Sequence, residues 1–246
     1  MKLTTRALHV AMGLAFFQGA QAIPVVTDGE WVSITGSPSA GPVYEDPDSN
    51  GTNNRLVWGE PFGDVDPGPS AYVFEGVDPG DAPLDGSLFE LGDFTHENFT
   101  IKLPSITGAT LELGLDFTGE GVSQIFTYFF SHTETPNDAN PCAEGGDIPC
   151  PDLVSIPDAS STETVLLSGQ EYLLTIIGFS QDGGQTILDD FLTLEGQNNT
   201  ATLYARLEPP TEVPAPATLA LLGLGLAGLG YRRRKQIKAA DRKSVV

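Results

Sequence analysis

From Ala109 to Phe117 apolar and polar residues alternate without a break. Ala109, Leu111, Leu113, Leu115 and Phe117 fall on one side, and Thr110, Glu112, Gly114 and Asp116 on the other. A period of two sends successive side chains to opposite faces of an extended chain, so this stretch predicts a half-buried strand. Ala201, Leu203, Ala205 and Leu207 repeat the pattern opposite Thr202, Tyr204 and Arg206. The runs 125–130 and 172–179 are apolar on both faces and predict central strands covered from both sides. Shorter strand candidates lie at 31–34, 56–58, 72–74, 88–91, 165–167 and 191–194. Gly, Pro, Asn and Asp punctuate the chain, and no window of about 12 residues carries a helical period. About ten to twelve short strands with polar turns predict an all-β domain, an antiparallel β-sandwich of jelly-roll type.

The ends of the chain stand apart from that domain. Lys2 and Arg6 precede a short apolar run over residues 7–17, and Ala20-Gln21-Ala22 supplies small residues at a cleavage spacing. Residues 1–22 read as a signal peptide, with the mature chain beginning at Ile23; an uncleaved anchor is the alternative. The ectodomain is expected over 23–207, followed by a proline-rich linker at 208–216. Residues 217–231 carry no charge until the basic tail 232–246, and read as a transmembrane helix. From Val213 to Tyr231 there are 19 residues. At ~1.5 Å per residue they span roughly 28 Å, close to the hydrocarbon thickness. Basic residues after the span stay on the cytoplasmic side, which places the ectodomain outside that membrane.

Charge follows the same division. Between residues 23 and 216 only Arg55, Lys102 and Arg206 oppose 32 acids, a net charge of −29. Such a surface repels phosphate backbones, which argues against a nucleic-acid partner. It attracts divalent cations or basic partners; plain solubility outside the cell is the alternative reading. Cys142 and Cys150 share one polar loop. In an exported chain they predict a local disulfide, and no further thiols or histidines stand at zinc-site spacing.

The tail resembles a known signal. Val213-Pro214-Ala215-Pro216, the Gly/Leu-rich run after it and Arg232-Arg233-Arg234-Lys235 follow the three-part order of a PEP-CTERM sorting signal. Ala215 stands where that pattern usually has Glu, and residues 236–246 extend past the usual end. The resemblance implies recognition by an exosortase, a membrane-embedded cysteine transpeptidase. It also implies removal of the tail, and a Gram-negative bacterium that makes an exopolysaccharide matrix. An ordinary single-span anchor is the alternative. A second resemblance lies at Phe94-Thr95-His96-Glu97-Asn98-Phe99-Thr100-Ile101, which is similar to the Phe-Thr-His-x-Asn-x-Pro-Ile signature of the choice-of-anchor K domain. Thr100 replaces its Pro, and residues 191–204 are similar to the end of that domain. This family carries no established catalytic residues onto the chain.

Candidate chemistry is sparse. Asp46-Pro47-Asp48-Ser49-Asn50-Gly51-Thr52 offers Asp46, Asp48, Asn50 and Thr52 at the spacing of the first half of a calcium loop, with Gly at its sixth position. Val57 stands where the closing Glu belongs, Glu60 would need another loop path, and a solvated turn is the competing reading. Asp182, Asp189 and Asp190 form a second acidic group that reads as a solvated turn. His96 is expected in a loop with a hydrogen bond to backbone, and His132 at a strand edge. Neither HExxH nor G-x-S-x-G occurs. Trp31 and Trp58 could stack a sugar, although such residues more often fill a core. The leading expectation is a non-enzymatic surface protein of a biofilm or exopolysaccharide matrix. It travels through an inner-membrane precursor to the cell surface or extracellular matrix, with exosortase and polysaccharide as partners. A calcium-assisted carbohydrate-binding module and a secreted glycan hydrolase using two carboxylates are the alternatives.

Overall fold

The computed structural model describes residues 21–63, 68–157 and 162–209. Period-two patterning becomes strand throughout, and no helix occurs among the described residues. In chain order the strands are β1 (Ala22–Gly36), β2 (Val43–Glu45), β3 (Arg55–Trp58), β4 (Ser70–Gly76), β5 (Gly80–Pro83), β6 (Leu88–Asn98) and β7 (Ile106–Phe117). There follow β8 (Val122–Thr133), β9 (Asp152–Ser155), β10 (Thr162–Leu167), β11 (Gln170–Ser180), β12 (Asp190–Thr193) and β13 (Gln197–Glu208). They form two antiparallel sheets packed as a sandwich. One has the order β12-β9-β8-β7-β1-β5 and the other β10-β11-β13-β6-β4-β3-β2.

The alternating stretches lie where their pattern requires. Strand β7 turns Ala109, Leu111, Leu113, Leu115 and Phe117 into the core, and β13 does the same with Ala201, Leu203, Ala205 and Leu207. The strands expected to be covered on both faces are covered on one. Ile125 and Phe129 of β8 are 67% and 39% exposed, and Leu173 of β11 is 41% exposed. Both strands are hydrogen-bonded along both edges, but a two-layer sandwich leaves every strand one outward face.

Large aromatic side chains fill the space between the sheets. Phe94 of β6 stacks on Phe130 of β8, with ring centroids 5.2 Å apart, and also touches Trp31, Tyr72, Phe179 and Phe191. Trp31 and Trp58 are both interior, each 1% exposed. Their indole N–H groups donate to the Asn54 carbonyl and to Ser105 Oγ, so neither is left unpaired by burial. Where β1 crosses β4 the sheets approach closely. Thr27 Oγ1 accepts from Val77 N–H at 2.8 Å, and a Cβ built on Gly76 would lie 2.0 Å from the Thr27 carbonyl oxygen. Only a residue without a side chain lets the backbones meet there.

Candidate functional site

The Phe-Thr-His-x-Asn stretch lies on β6, and strand alternation divides it cleanly. Phe94, His96 and Asn98 point inward, and all are buried. Thr95 and Glu97 point outward, Thr95 to Thr200 Oγ1 at 2.7 Å and Glu97 to Arg55 at 2.6 Å. His96 is therefore on a strand rather than in a loop. Its Nδ1 bonds the Thr193 hydroxyl at 2.9 Å, where a backbone partner was expected.

The same alternation on β8 carries Phe126, Tyr128, Phe130 and then His132 to the core. His132 is 4% exposed, so the edge position expected of it is not observed. Its Nδ1 lies 2.6 Å from the Tyr72 hydroxyl and its Nε2 3.4 Å from Glu134 Oε2. Asp152 opens β9 directly after the disulfide loop and is wholly buried. Its Oδ1 accepts from the Thr135 N–H at 2.7 Å. Thr193 ends β12 and joins the two halves of the cluster. Its carbonyl accepts from Asn98 Nδ2 at 2.9 Å, and its hydroxyl donates to the Asp152 carbonyl at 3.3 Å. The hydroxyl has one proton, and whether it goes to the Asp152 carbonyl or to His96 Nδ1 sets the His96 tautomer. In either tautomer His96 Nε2 has no hydrogen-bond partner in the interior.

Trp58 stacks on His96 at 5.6 Å and 19°, and the two histidine rings meet edge to face at 5.3 Å. The stretches 94–101 and 191–204 thus converge here, one through His96, Asn98 and Thr100 and the other through Thr193 and Glu195.

The cluster holds more acceptors than donors. Among the described residues eight buried side-chain atoms lack a hydrogen-bond partner, and five belong here: His96 Nε2, Asn98 Oδ1, Asn137 Oδ1, Asp152 Oδ2 and Glu195 Oε1. The amide oxygens accept, while the Asp152 and Glu195 oxygens accept when ionised and can carry a proton when neutral. Burial, and then Glu134, pushes the Asp152 carboxyl up to about 8. Burial also raises Glu195. His96 is held well below its ordinary value by burial and by the neighbouring His132. The donor atoms of His132, Glu134 and Asp152 lie within 4.8 Å of one another, a spacing at which they could hold a metal ion. Glu134 also lines a surface cavity of about 490 Å³ with Phe62, Thr100, Leu103 and Asn137.

Cys142 and Cys150 form a disulfide with Cα atoms 5.4 Å apart. It closes the loop between β8 and β9. Thr135 Oγ1 bonds the Pro151 carbonyl at 3.0 Å, which ties the bridge to the strand start that presents Asp152.

The loop of Asp46, Asp48, Asn50 and Thr52 is brought together by its own hydrogen bonds. Asp46 accepts from Asn50 N–H at 3.1 Å and Gly51 N–H at 3.0 Å, and Asn50 Oδ1 accepts from Thr52 N–H at 2.8 Å. Asp48 and Asn50 face an acidic surface cavity of about 570 Å³ that Asp28, Glu75 and Asp78 also line. Glu60 is paired with Lys102 instead. Asp182 caps its turn through Ser180 and Thr186, hydrogen bonds that hold its carboxyl below the usual range. The expected signal peptide, but for its last two residues, lies outside the described residues. So do Val213, Pro214, Ala215, Pro216, Arg232, Arg233, Arg234 and the transmembrane segment.

Sequence reasoning passed over Glu134, Asp152 and Thr193. A usable signal existed for His132, which shares the parity of Phe126, Tyr128 and Phe130.

No curated protein matches the chain. Residues 212–235 match the PEP-CTERM protein-sorting motif, and this match supports an exported protein whose membrane-anchored precursor is sorted through an exosortase.

Proposed function

We propose that this is a non-enzymatic surface protein. Its acidic sandwich, a domain of the choice-of-anchor K kind, is exported, held briefly at the inner membrane, released from its tail by an exosortase and delivered to an extracellular polysaccharide matrix. The sorting motif at 212–235 is the observation that carries the reading. The domain's charge supports it, since a net −29 between residues 23 and 216 keeps a released domain dispersed among neighbours. The competing carbohydrate-binding reading needs an aromatic platform, and Trp31 and Trp58 are both committed to the core.

Fractionation of producing cells, with and without their exosortase, tests this. The protein is expected in the polysaccharide-rich extracellular fraction of the first and in the membrane fraction of the second. The purified protein is expected to release no reducing ends from that polysaccharide. Retention inside the cell, or hydrolysis of the polysaccharide, would overturn the proposal.

A further inference from the structure

We infer that His132, Glu134 and Asp152 form a binding site for one divalent cation of the zinc class, set between β8 and β9 at one end of the sandwich. Three observations carry this. The donor atoms of the three residues already lie within 4.8 Å of one another. Zinc bonds to imidazole and carboxylate run ~2.0–2.2 Å, which puts tetrahedral ligand atoms about 3.4 Å apart, so the set closes on an ion by side-chain shifts of up to about 1.4 Å across its widest pair. Next, one member of the set and one neighbour, both wholly interior, have an oxygen that nothing answers. Asp152 is 0% exposed with Oδ2 unpartnered, and Asn98 is 1% exposed with Oδ1 unpartnered. Buried polar atoms are normally satisfied, and oxygens left unmet in the interior next to an imidazole and a second carboxylate describe a place for a cation. Finally, the support expected around a metal-bound imidazole is present. With Nε2 toward the ion, His132 Nδ1 donates to the Tyr72 hydroxyl at 2.6 Å, fixing tautomer and ring plane.

The donor set selects the class of ion. Calcium and magnesium favour all-oxygen shells, whereas one imidazole with two carboxylates suits zinc and its first-row neighbours. A cation there also balances the negative charge that Glu134 and the buried Asp152 can bring into the interior. Glu134 borders the 490 Å³ cavity, which gives an ion a route from solvent. The site is distinct from the Asp46 loop, whose oxygens largely serve its own backbone.

The test uses the untagged full chain in mild detergent, stripped with EDTA and dialysed against micromolar Zn²⁺, Mn²⁺, Ca²⁺ or Mg²⁺. Bound metal is measured by mass spectrometry and stability by thermal melting. One Zn²⁺ per chain is expected, with a melting temperature raised by about 5–10 °C at saturation. Magnesium controls for general screening of the acidic surface and should give little of that rise. Glu134→Gln should lose the bound zinc while its metal-free form melts no lower than metal-free wild type, because a buried repulsion has gone. Its retained fold separates loss of the site from loss of structure, which His132→Gln alone would not. Asp46→Asn/Asp48→Asn should keep the zinc. Wild type holding under about 0.2 equivalents of zinc would overturn the inference, and the lone pairs would then be met by water. Equal zinc occupancy in Glu134→Gln, or an equal rise with magnesium, would overturn it as well.

Discussion

Replacing Phe94 with Ala removes the side chain on which the two sheets meet. Phe94 is 0% exposed and touches five aromatic rings, so its truncation leaves a cavity with several large walls. A buried Phe covers about 150–250 Å², worth roughly 4–6 kcal/mol at about 25 cal/mol per Å². Partial collapse of the walls brings the expected cost of Phe94→Ala to about 3–5 kcal/mol. A domain of this size loses about 2–4 °C per kcal/mol, so the melting temperature should fall by about 6–20 °C. Thr95→Ala is the matched control. Thr95 sits one residue along the same strand on the outer face, bonded only to Thr200, and should cost under about 1 kcal/mol. Urea denaturation of both variants gives the comparison. A Phe94→Ala cost under about 1.5 kcal/mol, or a Thr95→Ala cost equal to it, would refute the assigned strand register and with it the inward placement of His96 and Asn98.

Further outcomes follow from single positions. Gly76→Ala drives a Cβ against the Thr27 carbonyl and should cost more than about 2 kcal/mol. Gly114→Ala, whose Cβ would meet only Asp28 O at 3.7 Å, should be neutral within about 1 kcal/mol; urea midpoints compare the two. Opening the disulfide by Cys142→Ser/Cys150→Ser releases a bridge with a sequence separation of 8, and the loop-entropy relation gives a loss of about 2.5 kcal/mol in the melt. Arg55 pairs with both Glu45 and Glu97, so Arg55→Gln should cost about 1 kcal/mol in dilute buffer and less in 1 M salt.

The sandwich was legible because burial in a two-layer fold is written as alternation. Strands β7 and β13 show it plainly: β7 sets Ala, Leu and Phe against Thr, Glu and Asp, and β13 sets Ala and Leu against Thr, Tyr and Arg. Strands β8 and β11 misled because apolar residues on an outward face look the same in sequence as residues on a covered one. Nothing in the structure explains why Ile125 should be apolar at 67% exposure. The polar cluster was largely illegible. His96, His132, Asp152 and Thr193 come from four strands, and sequence spacing says nothing about pairings such as β8 with β9 or β9 with β12. Two of its members could have been placed inward by parity, His96 from Phe94 and His132 from Phe130. Their meeting depends on which sheet each strand joins. The Asp46 loop was legible because all its residues are close in sequence, a property that calcium loops and ordinary polar turns share.

The claim on which the account rests is that this chain is exported and then cut from its tail. Mass spectrometry of the protein released from cells that make it addresses this directly, by reading both termini. The account predicts an N-terminus at or near Ile23, no peptide beyond the Pro216 region, and loss of the released form when the exosortase is deleted. Released protein that still carries Arg232, Arg233 and Arg234, or release unchanged by the deletion, would contradict it.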